Sequence, residues 1–521
     1  MANSRAARLL PPAAANPPAD CGERRAEYTA AVTDLRHIGR SIHRLEDPPL
    51  LLGQGRYVDD IHLPGTLEAA FVRSPHAHAA VRGIDSRAAQ AAPGVAAVLT
   101  LADLAPHLTR QQMPIQFRNS KLPPHCTPFP LAKDEVAYVG EAVAVVIASS
   151  RYLAEDAAAL VEVDYEILPA ASDCKRALAP DAPRARQGRS SNVLTEIRQG
   201  YGEVESAFAR APHRLKLGLK QHRGGAHSIE GRGVLAVYDA GEDRLTVWSS
   251  TQLAHELRSF LMELLDLDEN RLRVVTPDVG GGFGAKFLMY PEEVVIPLAS
   301  LMLRSPVKWI EDRREHFLAS IQERDQYWDL EIAFDGTGRL LAVRGEIVHD
   351  QGAYTPQGVN TAYNSSTAFP GPYVLPAYEI RAVVVETNKV PTVPVRGAGY
   401  PQGCFAMERA LDRIAQTLGL DRALVRERNL VPAAAMPYTT PLKSRSGSAI
   451  AYDTGDFPKS MNNVLEAIEY KTFSERQSAA RASGRHLGIG IANGMKGTGR
   501  GPYESALVRV GRTGRVSVLV V

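Results

Sequence analysis

An α+β fold divided among about two to four domains is what this sequence predicts. Three observations carry it. The chain has 521 residues, 45% of them hydrophobic and 23% charged, enough for more than one sizeable core. Stretches of strand-like and helix-like periodicity follow one another in mixed order, and two seams rich in Pro, Ala, Arg and Ser interrupt them.

The first twenty residues, "MANSRAARLLPPAAANPPAD", carry positive charge around a two-leucine apolar core broken by prolines, too poor for a secretory signal. Residues 1–36 are therefore expected to be a disordered arm, and 37–56 a lead-in segment. "GTLEAAFVRSPHAHAAVRGID" predicts a strand, a proline turn and a second strand; "VGEAVAVVIA" predicts a buried strand, and "SRYLAEDAAALVEVDYEIL" a helix running into a strand. "CKRALAPDAPRARQGRSSNVL" marks a linker.

Beyond it, helices are expected at "LAHELRSFLMELLDL", "PEEVVIPLASLMLRS" and "GCFAMERALDRIAQTLGL", with strands at "DRLTVWSS", "RLRVVTP", "PVKWIED" and "YWDLEIAFD". A second seam, "PAAAMPYTTPLKSRSGSAIAYDTGDFP", precedes a last helix-plus-strand stretch that stops within an apolar run.

Charge and cysteine usage exclude several classes of function. The net charge of +2 arises from 60 basic and 58 acidic residues that are well interspersed, so no field favours nucleic acid or an anionic membrane. No apolar run approaches the roughly 20 residues of a membrane span. Cys21, Cys126, Cys174 and Cys404 are far apart, form no CxxC pair, and so supply neither a zinc ribbon nor an iron-sulfur cluster. A reducing, cytoplasmic location follows from such sparse cysteine usage. His76 and His78 would share a strand face, but no third metal ligand stands at useful spacing, so no metal site is assigned to side chains.

The glycine turn in "RVVTPDVGGGFGAKFLMYPEEVV" admits three readings. A P-loop needs Ser or Thr after its lysine, and Lys286 is followed by Phe287. A dinucleotide fingerprint fits Gly280, Gly282 and Ala285 with a strand before, a helix after and a later strand in "VKWIED" ending in Glu311, although Pro277 and Asp278 intervene before the first glycine. The third reading is that bare backbone lets a ligand approach closely, with main-chain amides donating to it.

Neighbouring stretches decide among them. "WSSTQLAHELRSFL", "VPVRGAGYPQGCFAMERALDRIA", "PVKWIEDRREHF", "DVGGGFGAK" and the opening "IGRSIHRLEDPPLLLGQGRYVDDIHLPGTLEAAFVRSPHAHA" together resemble the molybdenum-binding large subunit of the xanthine oxidase family of molybdenum hydroxylases. The likeness is to its bacterial aldehyde oxidase and carbon monoxide dehydrogenase-like branch, from about residue 37 to the end. The resemblance implies an α/β hammerhead domain over 57–170, a linker over 171–189, a first molybdopterin-binding domain over 190–430, and a second, incomplete one over 431–521. It implies a molybdenum-molybdopterin cofactor, in bacteria commonly the cytosine dinucleotide form, with the pterin rather than the protein ligating the metal. It further implies two partners, a small iron-sulfur subunit with [2Fe-2S] clusters and a medium FAD-binding subunit. The activity implied is oxidation of a small organic substrate, an aldehyde or N-heterocycle, with water as oxygen source.

Carried over by motif, Gln252 in "STQ" matches the glutamine that donates to an oxo group on the metal. Gly281, Gly282, Phe283 and Gly284 match the loop against metal and pterin, with Phe283 shielding it from water. Arg396 in "VRGAG" matches an arginine facing the substrate pocket, whose cation stabilises developing negative charge. The next residue is Gly397 where the carbon monoxide dehydrogenases carry a copper-binding cysteine, which argues against a molybdenum-copper centre. Glu230 in "HSIEGRG" occupies the place of a substrate-side glutamate; an ion pair with Arg232 on one strand face is its purely structural reading.

The family's general base, a glutamate late in the second molybdopterin domain, has no counterpart here, and none of Glu466, Glu469, Glu475 or Glu504 stands in a matching motif. Weak or no activity of the isolated chain is the resulting expectation. A non-catalytic remnant that binds partners, and a nicotinamide-dependent dehydrogenase built on the dinucleotide fingerprint, are the alternatives.

Overall fold

The computed structural model describes residues 39–117, 122–123, 126–497 and 505–520; the expected N-terminal arm lies outside them. The described residues up to Gly55 belong to a unit of their own and include a short helix, α1 (Asp47–Leu51), with prolines at its start. Pro is tolerated there because the first helical amides have no acceptor anyway.

From Arg56 onward the main body is built on two large sheets. Its principal strands are β1 (Leu67–Arg73), β2 (Ala79–Asp85), β3 (Val95–Leu99), β4 (Ala142–Ala148), β5 (Glu162–Ile167), β6 (Val193–Tyr201) and β7 (His213–Gln221). Then come β8 (Gly233–Asp239), β9 (Arg244–Ser249), β10 (Leu272–Val275), β11 (Val307–Ile310), β12 (Gln326–Phe334), β13 (Leu340–Gly352) and β14 (Tyr378–Glu386). A seven-stranded sheet runs β10-β9-β8-β11-β1-β4-β3, and a five-stranded one β6-β14-β13-β12-β7. The predicted strands in "VGEAVAVVIA", "DRLTVWSS", "RLRVVTP", "PVKWIED" and "YWDLEIAFD" all form. Long β6, β7, β13 and β14 were not anticipated, although the alternation of Arg214, Lys216 and Lys220 with Leu215, Leu217 and Leu219 in β7 carried the signal of a half-buried strand.

The seven-stranded sheet crosses the 171–189 linker: β1 pairs in parallel with β11, Leu67 opposite Val307. One core therefore serves both segments. Phe71, Val145, Ile147, Val234, Val247, Leu261 and Trp309 share it with helices α2 (Ala254–Leu265) and α3 (Glu292–Leu303). α3 is apolar all round from Val294 to Ala299 because it is buried on every side. The five-stranded sheet packs Trp328, Leu330, Phe334 and Tyr378 against α5 (Asn360–Ala368) and α6 (Tyr400–Leu418) through Phe369, Leu411 and Ile414. Phe369 stacks between Trp328 and Tyr378, its ring centre 5.7 and 5.6 Å from theirs. α4 (Arg313–Ala319) starts at a capping box between Asp312 and Glu315.

Among the described residues no helix is long and apolar enough to cross a membrane. His76 and His78 precede β2 and take separate partners: His76 lies edge-on to Tyr165, and both ring nitrogens of His78 are engaged, by the Pro169 carbonyl and Glu135.

Candidate functional site

Strand direction brings the predicted site residues together. β9 and β10 are parallel and end at one edge of the seven-stranded sheet; β8, antiparallel to β9, begins at that edge, and β11, antiparallel to β8, ends there. The carboxyl ends of neighbouring parallel strands are where α/β sheets gather ligands. Gln252 follows β9, the glycine loop follows β10, Glu230 precedes β8 and Glu311 follows β11.

Gln252 and the loop interlock. The Gly284 amide donates to Gln252 Oε1 at 2.8 Å, and the Gln252 amide donates to the Lys286 carbonyl at 2.8 Å. The bond from Gly284 fixes the orientation of the carboxamide, since only its oxygen can accept, and leaves Nε2 without an acceptor among the described residues. A Cβ on Gly282 would fall 2.5 Å from Gln252 Oε1, and one on Gly284 2.6 Å from the Pro394 carbonyl, with Gly284 at φ +97°. No side-chain-bearing residue fits either place without displacing its neighbour. The amides of Gly281, Gly282 and Phe283 have no acceptor among the described residues. Three successive free amides beside a free carboxamide make a neutral cradle for oxo or other anionic oxygens.

Arg396 is joined to the same loop. Its amide donates to the Phe283 carbonyl at 2.8 Å, and its guanidinium lies 4.7 Å from the Phe283 ring centre. It makes no ion pair among the described residues, so its charge is available to a ligand. The Asn364 side chain donates to the carbonyl of Ala398 at 2.8 Å, holding the Arg396 loop against α5.

Glu230 does not pair with Arg232. Its Oε2 accepts from the Gly280 amide at 2.7 Å and from Lys286 Nζ at 2.8 Å. Arg232 turns the other way and is buried between Glu292 and Glu311, at 2.8 and 2.6 Å. Arg73 of β1 reaches Glu292 from the opposite side at 2.8 Å, and His316 Nδ1 lies 2.9 Å from Glu311. Burial alone would raise Glu311, but Arg232 and His316 hold its carboxyl down at about 2. Next to this network Glu293 accepts from Ser249 Oγ and the Tyr290 amide, at 2.6 and 2.9 Å, and burial pushes it up to about 7. The pairing of Lys286 with Glu230, and of Arg232 with Glu292 and Glu311, escaped sequence reasoning. Lys286 stood in the quoted glycine motif but drew notice only as a failed P-loop lysine.

The dinucleotide fingerprint fails on geometry. A Rossmann glycine turn opens directly into a helix whose amino end meets the phosphates, whereas α3 begins at Glu292, well beyond Ala285. The loop instead offers bare main chain and neutral donors; among the described residues no cluster of His, Cys, Asp and Glu is arranged to bind a metal ion.

Comparison with known proteins agrees with that geometry. The family model described as "Molybdopterin cofactor-binding domain" matches residues 186–430, and "Aldehyde oxidase and xanthine dehydrogenase, a/b hammerhead domain" matches 52–169. The chain is 36% identical over 497 residues to the nicotine 6-hydroxylase large subunit of Paenarthrobacter nicotinovorans, covering 92% of itself and 59% of that protein. It is 32% identical over 516 residues to the carbon monoxide dehydrogenase large chain of Afipia carboxidovorans, covering 92% of itself and 62% of that chain. Among solved structures, quinoline 2-oxidoreductase from Pseudomonas putida 86 superposes with a TM-score of 0.85 at 36% identity, over 92% of this chain and 62% of that one. The chain thus spans about three-fifths of the length of these relatives.

Proposed function

The chain belongs to the molybdopterin-binding large subunits of the xanthine oxidase family, and from that premise we propose that it forms the cofactor and substrate side of a molybdenum hydroxylase acting on an aldehyde or N-heterocycle with water as the oxygen source. One observation carries the reading: Gln252 and Arg396 both bond to the loop whose Gly281, Gly282 and Phe283 amides, like the Gln252 Nε2 and the Arg396 cation, have no partner among the described residues apart from the Phe283 ring beside Arg396.

Bound molybdopterin supplies a metal centre that accepts electrons from the substrate. The chain's own residues do the rest. Gln252 Nε2 and the loop amides would hold the cofactor's oxygens as neutral donors, steadying negative charge without transferring a proton. The Phe283 ring lies against Gly281 and would shield a cofactor bound at the loop from water. Arg396, stacked on that ring, is placed to orient a substrate heteroatom and to stabilise charge that develops on it.

The finer assignments rest on the relatives' printed names and on the family resemblance. Those relatives are a large subunit and a large chain, which favours assembly with further subunits, here read as an iron-sulfur small subunit and an FAD medium subunit. The cytosine dinucleotide form of the pterin is the proposed cofactor, and the cytoplasm the proposed compartment.

The test is metal analysis of the purified chain together with mass spectrometry of the pterin it releases. Stoichiometric molybdenum with a pterin dinucleotide is expected. A chain that binds NADH and carries no molybdenum, when expressed in a host that makes the cofactor, would overturn the reading.

A further inference from the structure

We propose that Glu230 and Lys286 are a positioning pair that sets the shape of the glycine loop, Glu230 acting through the main chain in place of the substrate-side role that the resemblance implies. The inference deepens the proposed function and rests on the loop facing a molybdopterin.

Glu230 uses one oxygen twice, for the Gly280 amide at 2.7 Å and for Lys286 Nζ at 2.8 Å, and the Glu230 amide donates back to the Gly280 carbonyl at 3.2 Å. The loop's entry is thus tied to Glu230 by side chain and main chain together. Lys286 ties its exit. The Lys286 carbonyl accepts from the Gln252 amide at 2.8 Å and from Thr251 Oγ1 at 3.3 Å, while Gln252 Oε1 takes the Gly284 amide. Lys286 is the member common to both clamps: its ammonium faces Glu230, its carbonyl faces Gln252. Between the pins lie the three amides of Gly281, Gly282 and Phe283, which have no acceptor among the described residues.

Glycines are the least ordered residues when unpinned. A cradle made of them needs external ties to hold its amides convergent before a ligand arrives, because preorganisation is what makes such donors effective. The Lys286 side chain is only 2% exposed and the Glu230 side chain 19% exposed. Glu230 is the carboxylate that meets this ammonium, since Arg232 occupies Glu292 and Glu311. Burial pulls Lys286 below its ordinary range, and the Glu230 carboxylate at 2.8 Å opposes that pull.

The experiment is hydrogen exchange by mass spectrometry on the full chain, prepared without cofactor, for wild type, E230Q and K286M, with molybdenum content measured on parallel cofactor-supplied preparations. Exchange of the bonded Gly280 and Gly284 amides, read in the peptide spanning the loop, is expected to rise about 10- to 100-fold in both variants as the clamp loosens, while the Gly281, Gly282 and Phe283 amides, without an acceptor among the described residues, exchange fast throughout. Peptides from the five-stranded sheet should stay at wild-type rates, and molybdenum content should fall in both variants. Should the lone ammonium left by E230Q unfold the chain, the E230Q/K286M double variant buries no lone charge and decides by the same readouts. Wild-type loop exchange and wild-type molybdenum content in E230Q and K286M would overturn the proposal. A wild-type chain without molybdenum would sink the cofactor reading instead, while the exchange comparison would still decide the positioning role.

Discussion

The Arg396 amide donates to the Phe283 carbonyl at 2.8 Å while the Arg396 guanidinium stacks on the Phe283 ring, 4.7 Å from its centre. Two loops distant in sequence are joined there by main chain and side chain at once. Phe283 sits at φ +55° and Ala398, two residues after Arg396, at φ +53°. Left-handed backbone at a residue with a side chain costs about 1–2 kcal/mol, and such strain persists where surrounding contacts over-determine it, often at ligand sites.

The two bonds have separable consequences. In Arg396→Met the amide bond to Phe283 remains and the cation goes, so cofactor content should hold while the weak turnover expected of the wild-type chain falls by about a further 100- to 1,000-fold, the range for losing one charge-stabilising donor. Parallel molybdenum analysis and steady-state kinetics check this. Loss of cofactor with the cation would show that the guanidinium holds the pterin instead.

Gly282→Ala tests the cradle itself. The new Cβ would meet Gln252 Oε1 at 2.5 Å and push the carboxamide off the Gly284 amide. Thermal denaturation should show a loss of about 1–3 kcal/mol, the usual cost of overpacking, together with depleted molybdenum. Unchanged cofactor content would mean that Gln252 does not need its observed position.

Arg232 is the hub of a buried charge network, and Arg232→Met would leave Glu311 without its main counter-charge. Urea denaturation should register a loss of about 3–5 kcal/mol, as for other buried pairs broken from one side. Glu292 keeps Arg73 and should contribute little to that loss.

Burial raises Glu293 to about 7 from an ordinary carboxyl value of 4.5, so between those values the unfolded chain has released a proton that the folded one retains. Stability contributed at this site therefore falls as pH rises from about 4.5 to about 7 and is level above that. Glu293→Gln keeps the side chain's size and an acceptor for the Tyr290 amide. It should stabilise the chain at pH 8 by about 1–3 kcal/mol and flatten the pH dependence of Tm. Part of the slope should survive, because burial also pushes Glu141 up to about 7. An unaltered slope would count against Glu293 as its source.

By itself the sequence determined the elements whose pattern is local and the motif in which bare backbone is required. Apolar spacing disclosed α2, α3, α6 and most strands of the seven-stranded sheet, and "GGGFG" announced a close approach because glycine alone tolerates it. Only the tertiary structure decided which partner each charged residue would take. Glu230 had Arg232 two residues away, yet it pairs with Lys286, 56 residues on, because β8 and the loop after β10 meet at one sheet edge while Arg232 is drawn inward by Glu292 and Glu311. It also decided that β1 and β11 form one continuous sheet across the linker. Periodicity reports which face of an element is apolar; it carries no record of which distant backbone or counter-ion will lie within hydrogen-bonding reach once the chain has packed.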